Sequence, residues 1–335
     1  MTANAADDLR QRIGGADSVV PIGAGTHADL GGRVTDAVEV RVPAGIVDVQ
    51  PSDMTVTVRA GTSFTELDAA LGEHGQECPL DPLDPRATIG GIVAAGLSGW
   101  RRLGLGPLRD ALLEVRFVTA DGREVRGGGP TVKNVTGYDL PRLFVGSLGT
   151  LGVITQLILR TRPRPRASQW FRAAAPAAVV RRQLFAPTAV LADAEATYVL
   201  LEGDVGDMAT ETTAGALTPT DEPTRPTGSH RGRLSVDPAR LEPVGTRLGA
   251  IDGIRWLAEH GVGTVHVASD RAADLAAARQ IAESTGGWLL REAGAPDLDP
   301  FGAVFPAVAL QRRIRQAVDP TGKLSPGRIT ATESR

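Results

Sequence analysis

The chain has 335 residues, a formal net charge of -3 and a sequence pI near 6.0. This length can bury a sizeable core and predicts two lobes, while the acidic balance and an aromatic content of 4% argue against a nucleic-acid-binding surface. Because Cys78 is the single cysteine, a disulfide and any metal or iron–sulfur site that needs two cysteines are excluded within these residues.

The first half of the chain reads as strands separated by glycine-rich loops, with few helices. A capping box at Ser63–Glu66 and an apolar stripe predict one helix that ends near Gly72 or Gly75, and Asp121-Gly122 predicts a hairpin turn. Apolar runs and alternation predict strands at 19–22, 54–60, 113–119 and 153–160. This order is not the strict βαβ alternation of a dinucleotide-binding Rossmann sheet, so the predicted fold class is α+β.

Near residue 165 the Pro/Arg-rich segment 162–166 predicts a boundary. Beyond it, helices are predicted at 176–185 and 271–284 and strands at 196–201 and 263–268. Residues 209–233 are rich in Thr, Pro, Gly and charge, which predicts a flexible insert rather than core. The last segment, 306–328, pairs a short helix with the sequence DPTGKLSPGR.

Three glycine-rich segments in the first half suggest a cradle for a phosphate-bearing cofactor. They are Gly23-Ala24-Gly25-Thr26, then Thr88-Ile89-Gly90-Gly91 with the nearby Ser98-Gly99, and the dense run from Gly127 to Ile154. Consecutive backbone N–H groups can hold a diphosphate where no Cβ blocks the approach. Each segment alone is more often a plain turn, but three in order favour a ligand site.

The order of these motifs resembles the vanillyl-alcohol-oxidase type of FAD-binding flavoproteins. The matching motifs are PxGxGT from Pro21, ATxGG from Ala87, KNVTGYDLxxLFxGSLGTLGVI from Lys133 and DPxGKLxPGR from Asp319. The similarity is greatest to the FAD-binding accessory subunits of bacterial glycolate oxidases, and it is strong over residues 18–165 and clear over 317–328. The resemblance implies a two-part FAD-binding domain and a smaller α+β cap lobe.

The resemblance assigns a domain layout and a set of FAD-contact candidates. Residues 1–165 would form the FAD-binding domain, 166–305 the cap lobe with the insert 209–233, and 306–335 a segment that returns to the first domain. The candidates are Pro21, Gly23, Ala24, Gly25, Thr26, His27, Thr88, Gly90, Gly91, Ser98, Gly99, Lys133, Asn134, Tyr138, Gly152, Ile154 and Arg328.

Two departures from the family pattern carry expectations about chemistry. Relatives that bind FAD covalently have a histidine at the position of Thr26, whereas here His27 comes one place later, so non-covalent FAD is expected. Hydroxyacid-oxidising relatives carry an HxGDGNxH-like segment in the cap, and His260 and His266 match it poorly. We interpret His260 as a helix-end residue and His266 as a strand residue, predict no metal site, and leave the catalytic residues unassigned.

The leading function from sequence is an FAD-binding oxidoreductase subunit of a glycolate-oxidase-like complex, in electron relay or assembly. Its partners would be a homologous catalytic FAD subunit and an iron–sulfur subunit. Two alternatives stay open: a self-sufficient FAD-dependent alcohol or hydroxyacid dehydrogenase, and a cofactor-free scaffold. For FAD binding, bulkier residues at Gly90 and Gly91 would abolish FAD retention before they abolish folding.

The sequence also predicts where the protein resides. The acidic N-terminus lacks a cationic, apolar leader, and no apolar run reaches the length of a membrane span. A cytoplasmic location without direct membrane insertion is therefore expected, with attachment to the inner membrane through partners left open.

Overall fold

The computed structural model describes residues 3–34, 36–130, 139–302 and 307–329. The first lobe is built around a five-stranded antiparallel sheet in the order β3-β4-β8-β6-β7, with a parallel pair β1-β2 beside it and a short pair β5-β9 at its end. Its elements are α1 Ala3–Gly15, β1 Val19–Pro21, β2 Val38–Val40, β3 Ile46–Gln50, β4 Thr55–Arg59, α2 Phe64–Gly72, β5 Gln76–Glu77, α3 Ile89–Ala95, α4 Arg102–Leu105, a 3-10 turn Leu108–Asp110, β6 Leu112–Val118, β7 Glu124–Gly128, α5 Leu140–Phe144, β8 Val153–Arg160 and β9 Arg162–Pro163.

The core of the first lobe lies between this sheet and the helices α2 and α3. Leu67 and Leu71 of α2 are fully buried against Val58 and Leu157 of the sheet. The α2 helix begins where the sequence predicts, because the Ser63 side chain accepts a hydrogen bond from the backbone N–H of Glu66. The predicted strand 153–160 is confirmed to the residue.

The second lobe is an eight-stranded antiparallel sheet in the order β13-β10-β12-β11-β15-β16-β14-β17. Its elements, with the C-terminal helix, are β10 Ala167–Ala173, α6 Ala177–Gln183, β11 Ala189–Ala192, β12 Thr197–Gly203, α7 Val205–Ala214, β13 Thr218–Pro219, β14 His230–Ser235, a 3-10 turn Pro238–Arg240, α8 Leu241–Gly249, β15 Arg255–Glu259, β16 Thr264–Ser269, α9 Ala272–Glu283, β17 Trp288–Ala293 and α10 Val308–Val318.

The two faces of this sheet have different neighbours. On one face, Val265 and Leu289 pack with α8 and α9. On the other, Leu290 packs with Leu30, Leu97 and Leu148 of the first lobe. Because side chains alternate along a strand, the residues beside Leu290 on neighbouring strands also face the first lobe.

The prediction that residues 209–233 form a flexible insert is wrong at both of its ends. Residues 209–214 complete α7, and residues 230–233 belong to β14, which pairs with both β16 and β17. The threonines of α7 satisfy their hydroxyl groups within the helix, since Thr210, Thr212 and Thr213 each donate to the carbonyl four residues earlier. The polar composition of this segment therefore gave no sign of helix α7 in the sequence.

The C-terminal tail returns to the first lobe and joins its parallel strand pair. Leu324 bridges to Val19, and the N–H of Ser325 donates to the Val19 carbonyl at 2.8 Å. Lys323 donates its ammonium hydrogens to the carbonyls of Gly14 and Ala16 at the C-terminal end of α1, so this lysine anchors the tail.

Candidate cofactor cleft

The loop after β1 offers a row of uncommitted backbone donors. The N–H of Ile22 donates to Val40, but the N–H groups of residues 23–26 donate to no atom of the described part of the chain. Gly25 adopts φ +75°, and no heavy atom lies within 4 Å of the position that a Cβ would take. Successive free amides in such a loop form an anion-binding concavity.

The segment from Thr88 to Gly91 packs directly against this loop. A Cβ on Gly23 would stand 2.1 Å from Oγ1 of Thr88, so glycine is needed at 23 for the two segments to meet. Thr88 is the N-cap of α3, and its hydroxyl accepts from the N–H of Gly91.

The first turn of α3 differs from the expectation that its amides face a ligand. The N–H of Ile89 donates to Thr62 and that of Gly90 to Ala60, both at 2.8 Å. With Gly91 bonded to Thr88, all three amides have partners in the protein. This segment therefore supplies a flat wall, and the donors come from the loop 23–26.

The opposite wall holds a buried cation. Arg328 donates to the carbonyls of Ala28, Leu148 and Gly32, which ties the tail to the loop after β1. It forms no ion pair with the described residues, and burial lowers the pKa of its guanidinium despite the nearby charge of Asp29. A positive charge without a paired carboxylate favours an anion in the adjacent space.

These walls enclose one cleft of about 210 Å³ that brings together most of the predicted residues. Its lining includes Pro21, Gly23, Ala24, Gly25, Thr26, His27, Thr88, Gly90, Gly91, Gly152, Ile154 and Arg328.

Two of the predicted residues that the structure describes, Ser98 and Gly99, do not line this cleft. Ser98 is buried elsewhere, and Gly99 is turned toward Asp81, since its N–H donates to the Asp81 carbonyl at 2.6 Å. Lys133, Asn134 and Tyr138 lie outside the described residues.

His27 marks the point where the cleft meets the cap lobe. Its Nδ1 lies 2.9 Å from the Thr26 hydroxyl oxygen. Burial lowers the pKa of His27, and the charges of Glu292 and Arg225 from the cap lobe act on it with opposite signs. The histidine is therefore neutral near pH 7 and in electrostatic reach of the cap sheet.

Sequence reasoning missed a buried polar centre in the cap, formed by Arg225, Glu259, His266 and Glu292. Nε2 of His266 lies 2.8 Å from a Glu259 carboxylate oxygen, and Nε of Arg225 donates to Nδ1 at 3.2 Å. Arg225 also bonds Glu292 at 2.5 Å. Trp100 of the first lobe packs edge-on against the His266 ring at 4.8 Å.

This arrangement fixes His266 as a neutral ring with both nitrogens in use. Burial lowers its pKa, while Glu259 opposes that effect. Nδ1 accepts from Arg225, so Nε2 carries the hydrogen that Glu259 accepts. No lone pair is left to take a proton from a substrate.

The predicted secondary structure is right for one of the two histidines, His260 and His266, and wrong for the other. The placement of His266 in a strand is confirmed. The placement of His260 at a helix end is wrong, because it follows β15 and its N–H donates to Val190. Among the described residues, no group of three His, Cys, Asp or Glu side chains is placed to hold a metal ion.

Comparison with known proteins agrees with this geometry. Residues 13–128 match a family model described as an FAD binding domain. The glycolate oxidase subunit GlcE of Escherichia coli is 42% identical over 165 residues, which are 48% of this chain and 47% of that protein. The glycolate oxidase subunit GlcD of Bacillus subtilis is 35% identical over 45% of this chain and 33% of its own length. The D-lactate dehydrogenase of Archaeoglobus fulgidus is 39% identical over 36% of this chain and 27% of its own. The chain thus spans about half or less of the length of these curated relatives.

A solved alkyldihydroxyacetonephosphate synthase has the same fold at 15% identity. Its TM-score is 0.69, and the match covers 97% of this chain and 74% of that one. The predicted fold class, the resemblance to FAD-binding glycolate oxidase subunits and the cofactor FAD are confirmed. The chain is related to FAD-linked oxidoreductases, as expected. Within the described ranges, no helix is both long enough and apolar enough to cross a bilayer.

Proposed function

We propose that this chain is the FAD-binding subunit of a glycolate-oxidase-like complex that oxidises a 2-hydroxy acid. In this complex it serves electron relay or assembly rather than primary substrate oxidation. Residues 1–165 are the FAD-binding domain, 166–305 the cap lobe and 306–335 the returning segment. The free amides of residues 23–26, in a cleft walled by Arg328, carry the proposal.

Different residues of the cleft would bind different parts of FAD. The N–H groups of 23–26 would donate to the diphosphate of FAD, and Arg328 would supply positive charge while it holds the loop in place. Gly90, Gly91 and Gly152 give the cofactor a wall without side chains. When bound, the flavin supplies the redox chemistry, and the protein binds it, orients it and sets the surrounding charge.

The polar centre of the cap supports the accessory role. A hydroxyacid oxidase that works alone needs a base for the substrate hydroxyl proton. His266 is committed to Arg225 and Glu259 through both ring nitrogens, so it positions its neighbours instead of accepting that proton. The substrate is then oxidised on a homologous catalytic FAD subunit, and an iron–sulfur subunit carries the electrons onward.

The proposal concerning partners follows from similarity to two different glycolate oxidase subunits. This chain matches GlcE over 48% and GlcD over 45% of its length, which fits two related flavin subunits in one assembly. The single cysteine of these 335 residues, Cys78, is buried, so these residues do not supply the thiolates of an iron–sulfur cluster, and we propose a separate iron–sulfur subunit. We place this complex in the cytoplasm, with membrane attachment through its partners.

Co-purification of the native chain tests the proposal directly. We expect a yellow protein whose flavin is released by denaturation, together with a second flavoprotein and an iron–sulfur protein. Addition of glycolate or D-lactate should bleach the flavin of the complex and leave that of the isolated chain oxidised. Bleaching of the isolated chain would favour a self-sufficient dehydrogenase, and a colourless chain that does not take up FAD would favour a scaffold.

A further inference from the structure

The end of β2 places an arginine beside the loop after β1. Strands β1 and β2 run parallel with Pro21 paired to Val40, and the N–H of Ile22 donates to the Val40 carbonyl at 2.9 Å. Because this pairing continues to the last residue of both strands, the next residue, Arg41, stands beside the start of the loop. Its Nη1 donates to the Gly23 carbonyl oxygen at 2.7 Å, and Arg41 is among the residues that line the FAD cleft.

This hydrogen bond fixes the direction of one backbone donor. The peptide group that joins Gly23 to Ala24 is planar and trans, so its C=O and its N–H point in opposite directions. Since the carbonyl is directed at Arg41, the N–H of Ala24 points away from the guanidinium. That N–H is one of the loop amides that donate to no atom of the described part of the chain. Its direction is therefore set before any ligand binds, by a bond on the other side of its own peptide group.

The loop is held by its carbonyl groups at both ends. Arg41 holds the carbonyl of Gly23, and Arg328 donates to the carbonyl of Ala28 at 2.9 Å. The free N–H groups of residues 24–26 lie between these two anchors. A loop that is already held in its binding shape loses less conformational entropy when it takes up an anion.

The charge of Arg41 is compensated, unlike that of Arg328. A carboxylate oxygen of Glu39 lies 3.6 Å from Nη2 of Arg41, and the two side chains are 63% and 64% exposed. Solvent and salt weaken the field of charges that are this exposed. Arg328, in contrast, is buried. Arg41 therefore contributes a directed hydrogen bond to the loop rather than a positive potential in the cleft.

From this geometry we infer that Arg41 is a positioning residue for the diphosphate of FAD. By holding the Gly23 carbonyl, it keeps the N–H of Ala24 directed at the diphosphate, and it does so without donating to the cofactor itself. The inference rests on the proposed function, because it takes the loop amides as the donors to FAD. It assigns a role to a residue outside the three glycine-rich segments.

Fluorescence titration of the full apo chain with FAD tests this role. Arg41→Met should raise the Kd for FAD at least about 5-fold, the loss expected for one hydrogen bond whose donor is no longer held in place. Arg59→Met is the matched control. Nη1 of Arg59 donates to the Ala44 carbonyl at 3.3 Å, and Arg59 does not line the cleft. This variant loses the same kind of bond in a neighbouring loop and should leave the Kd within about 2-fold.

Two further measurements separate positioning from charge. The ratio of the Kd of Arg41→Met to that of the unaltered chain should be the same at about 0.05 M and about 0.5 M NaCl, because a direct attraction between Arg41 and the diphosphate would be screened and the ratio would fall toward 1. Glu39→Gln removes the compensating carboxylate and should leave the Kd within about 2-fold. A ratio that falls with salt, or tighter FAD binding in Glu39→Gln, would overturn the positioning role.

The results also distinguish this inference from the proposed function. If the unaltered chain takes up no FAD, both fail. If it binds FAD and Arg41→Met binds equally tightly, only the role of Arg41 fails. An equal loss of affinity in Arg59→Met would assign the effect to general loosening of the first lobe and would contradict the inference. Because the Arg41 side chain is largely exposed, we expect the variant to fold, and urea unfolding checks this before titration.

Discussion

Substitution of Gly25 separates ligand contact from backbone strain in the FAD cleft. Gly25 and Gly75 both have positive φ, +75° and +66°, and neither has a heavy atom within 4 Å of a built Cβ. Gly25 lines the cleft, whereas Gly75 lies in the exposed turn after α2. Alanine at either position therefore carries the same conformational cost, on the order of 1–2 kcal/mol. Only alanine at 25 places a methyl group in the cleft.

We expect both variants to lose a similar amount of unfolding free energy in urea without FAD. FAD affinity should fall only in Gly25→Ala. Loss of one charge-assisted hydrogen bond to the diphosphate costs about 1.5–3 kcal/mol, which raises the Kd for FAD by roughly 10- to 150-fold. Quenching of flavin fluorescence on titration of the apo chain measures this. Equal FAD affinity in the two variants would refute the role of the loop amides.

Gly90 is a poorer choice for this experiment than the sequence suggested. A Cβ at Gly90 would stand 2.8 Å from Cβ and 3.1 Å from the carbonyl oxygen of Ala60, so a side chain there disturbs the first lobe itself. At Gly90 we now expect loss of folding and loss of FAD to occur together, which corrects the expectation drawn from sequence.

Three further predictions concern buried charges. Glu77 holds Arg101 and Arg162 at 2.7 Å each, so Glu77→Gln should lower the unfolding free energy in urea by about 1.5–3 kcal/mol, and a loss below about 0.5 kcal/mol would contradict this network. Burial raises the pKa of Asp81 to about 6. Because a carboxyl with a raised pKa costs free energy when it ionises, the stability of the fold should fall as pH rises from about 4 through 6. Asp81→Asn should therefore stabilise the protein at pH 8 by about 1–3 kcal/mol and not at pH 4, and an equal effect at both pH values would contradict this. Arg328→Met should weaken FAD binding at least about 10-fold by freeing the loop after β1, and unchanged flavin titration would show that the tail does not shape the cleft.

The sequence predicted those helices and strands that depend on residues close together in the chain. The capping box at Ser63 gave the start of α2, and the run of β-branched and leucine residues gave β8, because both depend on neighbours within a few positions. Glycine spacing also predicted that residues 23–26 and 88–91 share one cleft. These inferences needed no knowledge of strand order.

Features that depend on register could not be predicted in this way. His266 meets Glu259 because β15 and β16 pair in one particular register, and it meets Arg225 because a loop 41 residues away folds over the sheet. The same limit applies to the amides of α3: their pairing with Thr62 and Ala60 follows from the packing of two distant segments. Composition alone likewise concealed α7 within a polar stretch.

The hydrogen bonds from Arg328 to the loop after β1 bear on the order in which parts of the fold form. The guanidinium and the Ala28 carbonyl that it holds are 300 positions apart in the chain. During synthesis, both sheets can therefore be complete before Arg328 is available to hold the nucleotide-binding loop after β1. We therefore expect the chain to hold flavin firmly only after the segment with Arg328 has joined the first lobe, and a chain cut before residue 323 should keep both sheets but bind FAD weakly.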